Sequence, residues 1–399
     1  MKCKILNKEL SPFMNFGKMP LANGFLDKKD FKNEFFFNME VGFSDDISLF
    51  QLNDHPQPNQ MFNEKYPFFT GSSNFMKKHF DNFAKYIKEN FIKNGSKLIE
   101  IGSNDGTFLE NFTNTEVEII GFEPSDSAAK LARGKNINTI NKFFCYDNLE
   151  LINKFKKKTN VICAANAICH IPNLTDLIKA VDELLSNDGV FIFEEPYLGS
   201  MFKKISYDQI YDEHIFMFSA SSIKKIFDLY DMDLINVFEQ PTHGGSMRYI
   251  ISRKGKRNIN KNVHTVIEQE KRMDLDNISS CLKFKSNCEI SRNKLKNSLN
   301  ELKKNNKKIA GYAATSKSTT ILNYCQIGIE TIDYICDTTK EKIGKYSPGM
   351  HIPIVPVSHF HNNIPDIAYL FAWNHKDEIL FKEKNFSKKG GEWFSHVAL

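Results

Sequence analysis

The sequence has eight cysteines in 399 residues but no C-x-x-C pair anywhere. Cys3, Cys145, Cys163, Cys169, Cys281, Cys288, Cys325 and Cys336 stand apart, which excludes a zinc cage of paired thiolates and gives no disulfide framework. They read as reduced thiols. With no secretion-type pattern in the opening residues, a cytoplasmic location is expected. No histidine pair stands at ligand spacing with carboxylates behind it; His359 and His361 in VSHFHNN read as a solvated loop, and no metal is expected. No apolar run approaches the ~20 residues a bilayer span needs, so no membrane partner is expected. Charge of one sign is also missing. The 53 basic and 48 acidic residues leave +5, and the basic ones are scattered, which argues against nucleic acid. What is there, 41% hydrophobic and 25% charged residues, is a globular chain long enough for two or three domains.

One stretch organises the rest: Lys97 to Pro124, KLIEIGSNDGTFLENFTNTEVEIIGFEP. Leu98 to Ile101 is an apolar run of strand type. It ends in Gly102-Ser103-Asn104-Asp105-Gly106, a turn that bulky residues could not make. Thr107 to Phe112 is predicted to open a helix, and a second run, Val117 to Phe122, stops at Glu123. Such a turn brings backbone N–H groups close to a polar ligand, and an acid about 20 residues on can accept both hydroxyls of a ribose. A dinucleotide and S-adenosylmethionine (SAM) both fit that plan. The dinucleotide fingerprint needs a third glycine, where this run has a large residue. Asn104 and Asp105 suit an ammonium better than a pyrophosphate, which favours SAM. The alternative is an ordinary tight turn.

Residues 1–66 read as a small irregular lobe with one strand at 35–43. Asn74 to Lys93 has helical spacing through Phe75, Phe80, Phe83, Tyr86, Ile87 and Phe91. Further expected elements are a helix at 125–133, a strand at 138–144, a helix at 148–157, a strand at 161–165, a helix at 176–185 and a strand at 189–193. The alternation predicts a parallel sheet within a domain spanning 67–258. Gly102, Glu123, Phe143, Asn166 and Glu194 all fall at predicted strand carboxyl ends, where ligands of such sheets sit. Residues 197–249 read as an insertion and 259–307 as a connecting helical segment. Residues 308–399 repeat the α/β plan: a strand, the loop GYAATSKST, a helix at 319–324, a strand at 332–336 ending at Asp337, a unit at 351–357, and a strand at 367–372 before Trp373-Asn374.

Tyr211-Asp212-Glu213-His214 is the densest titratable cluster. A base poised near neutral pH suits removal of a carbon-bound proton, and His214 fits that role; a partly buried structural histidine is the alternative. Thr242-His243-Gly244-Gly245-Ser246 is a glycine turn flanked by hydroxyls, suited to a sugar or phosphate oxygen or to a plain hairpin. His170, after the fourth strand, is expected to be structural.

The stretches MPLANGFL, EIGSNDGTFL, FEPS, YDEHIFMFS, PTHGGSMR, GYAATSKSTTILNYCQIG, PGMHIPI and WNHKDEI resemble the SAM-dependent sugar C-methyltransferases acting on nucleotide-linked 4-keto-deoxyhexoses. The resemblance covers nearly the whole chain. It implies an α/β fold: a central class I SAM-dependent methyltransferase (Rossmann-like) domain, a small N-terminal zinc lobe, and a C-terminal Rossmann-like domain that helps hold the sugar nucleotide. It further implies that Gly102, Ser103, Asn104, Asp105, Gly106, Glu123, Pro124, Phe144 and Asn166 surround SAM. His214 would be the base, flanked by Tyr211 and Glu213. Tyr66, Glu194, Thr242, His243, Gly244, Ser246, Lys317 and Asn374 would contact the sugar nucleotide. Monomer and homodimer both stay open.

One departure stands out. The family's N-terminal lobe carries C-x-x-C twice; here those positions are Cys3 and Leu6, then Ser44 and Ile47. One ligand of four cannot hold zinc, so the lobe is expected to be zinc-free and held by Phe35, Phe36, Phe37 and Phe43. Two other readings are O- or N-methylation of a sugar nucleotide or surface polysaccharide precursor, and a non-catalytic sugar-nucleotide-binding protein. An NAD-dependent oxidoreductase ranks last, because GYAATSKST lacks close glycines.

Overall fold

The computed structural model describes residues 1–10, 12–62 and 69–399. The first lobe is more regular than its sequence suggests. β1 (Pro12–Pro20), β2 (Phe36–Ser44) and β3 (Leu49–Leu52) form an antiparallel meander. Phe35 and Phe36 do not hold it, since each is 41% exposed. Phe37 and Phe43 do, with Phe13, Phe16 and Phe50, in a core continuous with Cys281, Phe284, Ile321, Leu322 and Ile335 further along the chain. Cys3 and Ile47 are buried in a second apolar cluster, with Leu6 packed against it. The family's zinc positions are therefore part of a hydrophobic contact, and their one sulfur does not fit a tetrahedral site.

The helix Asn74–Phe91 follows, capped by the Ser73 side chain accepting from the Met76 N–H. Met76, Phe80, Phe83, Ala84 and Ile87 form its buried stripe, while Phe75 is exposed. It covers one face of a sheet whose first five strands are β4 (Lys97–Ile101), β5 (Glu118–Phe122), β6 (Thr139–Ile140), β7 (Thr159–Ala165) and β8 (Leu185–Pro196). These are mutually parallel. Their near-continuous apolar runs are what a sheet buried on both faces requires. The turn after β4 leads to a single 3₁₀ turn at Leu109–Phe112 in place of the expected helix. The 148–157 helix is likewise a kinked 3₁₀ segment, Tyr146–Phe155, and the third strand keeps only two residues.

Of residues 197–249, expected as an insertion, only 220–249 belong to the central sheet and its cover. The chain contributes β9 (Phe216–Met217) to the edge of the N-terminal sheet beside β3. It then returns through the helix Ala220–Asp228 to β10 (Met232–Gln240) and β11 (Ser246–Arg253). These complete a seven-stranded sheet of order β10-β11-β8-β7-β4-β5-β6, with β11 antiparallel to both neighbours. That is the class I methyltransferase arrangement. Two helices, Lys261–Arg272 and Ile278–Lys304, form the connecting segment. Cys281, Phe284, Cys288, Leu295 and Leu299 are the buried side of the longer one, and Leu282 faces out.

The last unit is a five-stranded, fully parallel sheet: β12 (Ile309–Tyr312), β13 (Ile335–Asp337), β14 (Ile354–Pro356), β15 (Ile367–Leu370) and β16 (Glu392–Phe394). Its order is β14-β13-β12-β15-β16, so the direction of winding switches on either side of β12. The helix after β12, Ser316–Cys325, starts earlier than its apolar residues suggest because Thr315 caps it, accepting from the Ser318 N–H. His359 and His361 lie on the short helix Val357–Asn362 rather than in a loop, with His361 2.7 Å from Glu383. Among the described residues no helix is long and apolar enough to cross a membrane.

Candidate functional site

The carboxyl edges of the two parallel sheets open onto one cavity of about 1150 Å³. The central sheet contributes Gly102 and Asn104 after β4, Glu123 and Pro124 after β5, and Asn166 and His170 after β7. The C-terminal sheet contributes Ala313 to Lys317 after β12, Asp337 to Thr339 after β13, and Asn374 after β15.

The turn after β4 is held by its own acid. The Glu123 carboxylate accepts from the Asn104 N–H at 2.9 Å and the Ser125 N–H at 2.7 Å. Gly102 has φ +70°, and a Cβ there would meet Ala167 Cβ at 2.7 Å, so glycine is required on both counts. Burial pushes the Glu123 carboxyl up to about 7, against the pull of those two N–H groups. Pro124, Phe144 and Asn166 (φ +53°) line the cavity beside it.

Three residues predicted around the donor lie behind the wall instead. Asp105 accepts from the Gly71 N–H at 2.8 Å and the Thr107 hydroxyl at 2.6 Å, fastening the turn to the preceding lobe. Ser103 packs against Gly121, and Gly106 against Ile137 and Ala132. Their polarity or smallness serves the shape of the turn.

His214 is 3% exposed and borders the cavity. Its Nδ1 is 2.7 Å from the Gln209 carbonyl, which can only accept, so the proton sits on Nδ1 and the lone pair on Nε2. The Tyr211 hydroxyl, 2.7 Å away, donates to Nε2. Burial, reinforced by the nearby His170, drives His214 well below the ordinary histidine value despite the Gln209 carbonyl. The imidazole is therefore neutral across the physiological range, not poised near neutrality as the sequence suggested. Glu213 accepts from the Asn23 side chain at 2.6 Å, tying the N-terminal lobe to the site.

His170 was expected to be structural, yet it borders the cavity with its ring stacked 5.4 Å from that of His214, and burial lowers it to about 4. Cys169, His170 and His214 bring three potential metal ligands within 4.8 Å of one another, but both nitrogens of His214 are already hydrogen-bonded.

On the opposite side, Lys317 donates to Asn374 at 3.0 Å, and burial lowers it to about 8. Both border the cavity, as does His243, held at φ +53°. The other residues of that turn do not. Thr242 and Ser246 are buried, Ser246 donating to the Thr242 carbonyl, while Gly244 lies flat on Trp373. Glu194 is also no substrate contact. It is 1% exposed beneath the site, ion-paired to His79 and Arg248, each at 2.5 Å. Tyr66 lies outside the described residues. Sequence reasoning missed Asn23 and His375, both at the cavity wall. Their signals were present in LANG and WNH, which carried the resemblance without being assigned.

Asp337 repeats the design of Glu123. It accepts from Ala314 N–H, in the loop after β12, and from Thr339 N–H, both at 2.7 Å. Each half of the molecule thus clamps its first strand's loop with the acid that ends its second strand.

Three family models match the chain in order. One described as "Putative zinc binding domain" covers residues 3–62, "Methyltransferase domain" covers 75–237, and "C-methyltransferase C-terminal domain" covers 241–397. Fold and matches define a SAM-dependent methyltransferase with the domain order of the C-methyltransferases. The C-methyltransferase NovU of Streptomyces niveus is 27% identical over 383 residues, 95% of this chain and 91% of that one. A carboxy-S-adenosyl-L-methionine synthase of Nautilia profundicola is 28% identical over 138 residues, 32% of this chain and 56% of that one. Among solved structures, a SAM-dependent methyltransferase from Clostridium acetobutylicum is 13% identical, covering 46% of this chain and 94% of its own, with a TM-score of 0.35.

Proposed function

We propose that this methyltransferase places the methyl group on the carbon beside the ketone of a nucleotide-linked 4-keto-deoxy sugar. The observation that carries the reading is a cavity with a neutral imidazole on its wall and the carboxyl edges of two sheets facing it. SAM, which would lie against Gly102, Asn104, Glu123, Pro124, Phe144 and Asn166, supplies an electrophilic methyl. The sugar nucleotide would lie against the C-terminal edge, with its reacting carbon toward His214. Once the Tyr211 hydroxyl gives up its hydrogen bond to Nε2, that nitrogen removes the proton next to the carbonyl; the C–H electron pair becomes the enolate, and its negative charge gathers on oxygen. The Lys317 ammonium, with Asn374 beside it, is the cavity-wall cation we assign to that charge. The enolate carbon attacks the methyl as the methyl–sulfur pair returns to sulfur, and His214 later releases its proton to solvent.

Tyr211 orients the imidazole, and Glu213 with Asn23 fixes the segment that carries it. The reaction needs no metal, and the lobe that lacks three of its four thiol positions is read as zinc-free. We read the protein as a cytoplasmic enzyme acting on small molecules, as a monomer or a homodimer. The test is incubation with SAM and a panel of 4-keto sugar nucleotides, read by mass gain and by the position of the new methyl. Transfer to a hydroxyl or amine, or to no member of the panel, would overturn the reading.

A further inference from the structure

Beneath Lys317 a buried polar chain runs away from the cavity toward the last strand. The Trp373 indole N–H donates to one oxygen of Asp208 at 2.6 Å. The other oxygen lies 3.2 Å from Nε2 of His396, off the line a hydrogen bond needs. His396 Nδ1 is in turn 2.9 Å from the Tyr369 hydroxyl. Asp208, His396 and Trp373 are 0%, 1% and 5% exposed. At the cavity end, the Lys317 ammonium sits 4.6 Å from the centre of the Trp373 ring, and the turn carrying His243 rests on the same ring through Gly244. Asp208 also directly precedes Gln209, whose carbonyl fixes the tautomer of His214. None of these three buried groups borders the cavity.

We propose that His396 and Asp208 are positioning residues for the acceptor side of the site: they set the plane of Trp373, and through it the places of Lys317 and His243. An ion held against an aromatic face moves when the ring tilts, and the buried indole loses its one polar anchor when its N–H loses its acceptor. A shift of about 1 Å in a substrate-holding group is enough to cost about a hundredfold in rate. The proposal deepens the reading above, since it concerns the acceptor half of the same reaction.

The chain has two tryptophans, Trp373 and Trp393, so Trp393→Phe leaves Trp373 as a lone reporter. In that background His396→Gln and Asp208→Asn are expected to shift the Trp373 emission of the free enzyme. They are expected to raise the acceptor KM about tenfold while leaving SAM affinity within twofold, and the His396→Gln effect is expected to vanish when Lys317→Ala is already present. Unchanged Trp373 emission, or SAM affinity falling in parallel with acceptor KM, overturns the proposal. Should Asp208→Asn fail to fold, His396→Gln decides alone, because it keeps a polar partner at the same depth. If no 4-keto sugar nucleotide is methylated at all, the functional reading fails, and the emission measurement still decides whether the chain of contacts controls Trp373.

Discussion

Replacing His214 by glutamine should separate proton removal from everything else the cavity does. The glutamine carboxamide can keep a hydrogen bond in a site that is 3% exposed, but it cannot accept a proton from carbon. A general base contributes about 10²–10⁴ in rate, and this one has little access to a replacement water, so a loss of about 10³–10⁴ is expected, or about 4–5 kcal/mol. Tyr211→Phe removes one oriented hydrogen bond to Nε2 and should cost only about tenfold. Two assays are run on the same samples: methyl transfer, and uptake of solvent deuterium at the carbon beside the ketone. Both should fall together in His214→Gln, while SAM affinity holds within about twofold. If His214→Gln keeps more than about a tenth of the wild-type exchange rate with folding intact, another group takes the proton and the proposed mechanism is wrong. The pH profile gives a second check. Burial depresses the imidazolium, so His214 stays in its base form down to below pH 6.5 and should impose no acid limb above that value. Burial lowers Lys317 to about 8, so its ammonium is lost as pH rises through 8. The alkaline limb at saturating SAM should lie there and move upward in Lys317→Arg.

Three further outcomes follow from the geometry. Because Glu123 titrates at about 7 and only the carboxylate offers free lone pairs to two hydroxyls, SAM affinity should weaken as pH falls from 8 to 6, and Glu123→Gln should flatten that dependence in calorimetry. Arg248→Met strands the buried Glu194 carboxylate with His79 as its remaining partner; it should cost about 3–5 kcal/mol of stability, seen as a lower urea midpoint, though neither residue borders the cavity. Metal analysis of the purified protein should find substoichiometric zinc, and a chelator should leave the melting temperature unchanged; one zinc per chain would mean that other ligands have replaced the thiols.

The sheet edges were legible because the chemistry there is local. A strand, a turn with glycines and an acid about 20 residues on announce themselves whatever surrounds them. Gly102, Asn104 and Glu123 therefore reached the wall as expected, while Asp105, hydrogen-bonded to Gly71 from 34 residues away in sequence, turned out to fasten one segment to another. Glu194 misled for the same reason. Its position at a strand end suggested a ligand, and only the fold reveals that His79 and Arg248 converge on it from 115 and 54 residues away. The strands of 232–253 were hidden because antiparallel strands carry the same apolar spacing wherever they pair. His170 was undervalued because its neighbour in space, His214, is remote in the chain.

The two clamped loops, Glu123 on one edge and Asp337 on the other, have a consequence for how such enzymes diverge. Each sheet can hold its own ligand without reference to the other, so the gap between them belongs to neither. It is set by the segments that cross over: Asn23 against Glu213, Thr320 against the Ile210 carbonyl, and Trp373 against Asp208. A change in one of those crossings can spare the hold on one ligand and still misalign the two, a fault that the affinity for SAM alone does not reveal.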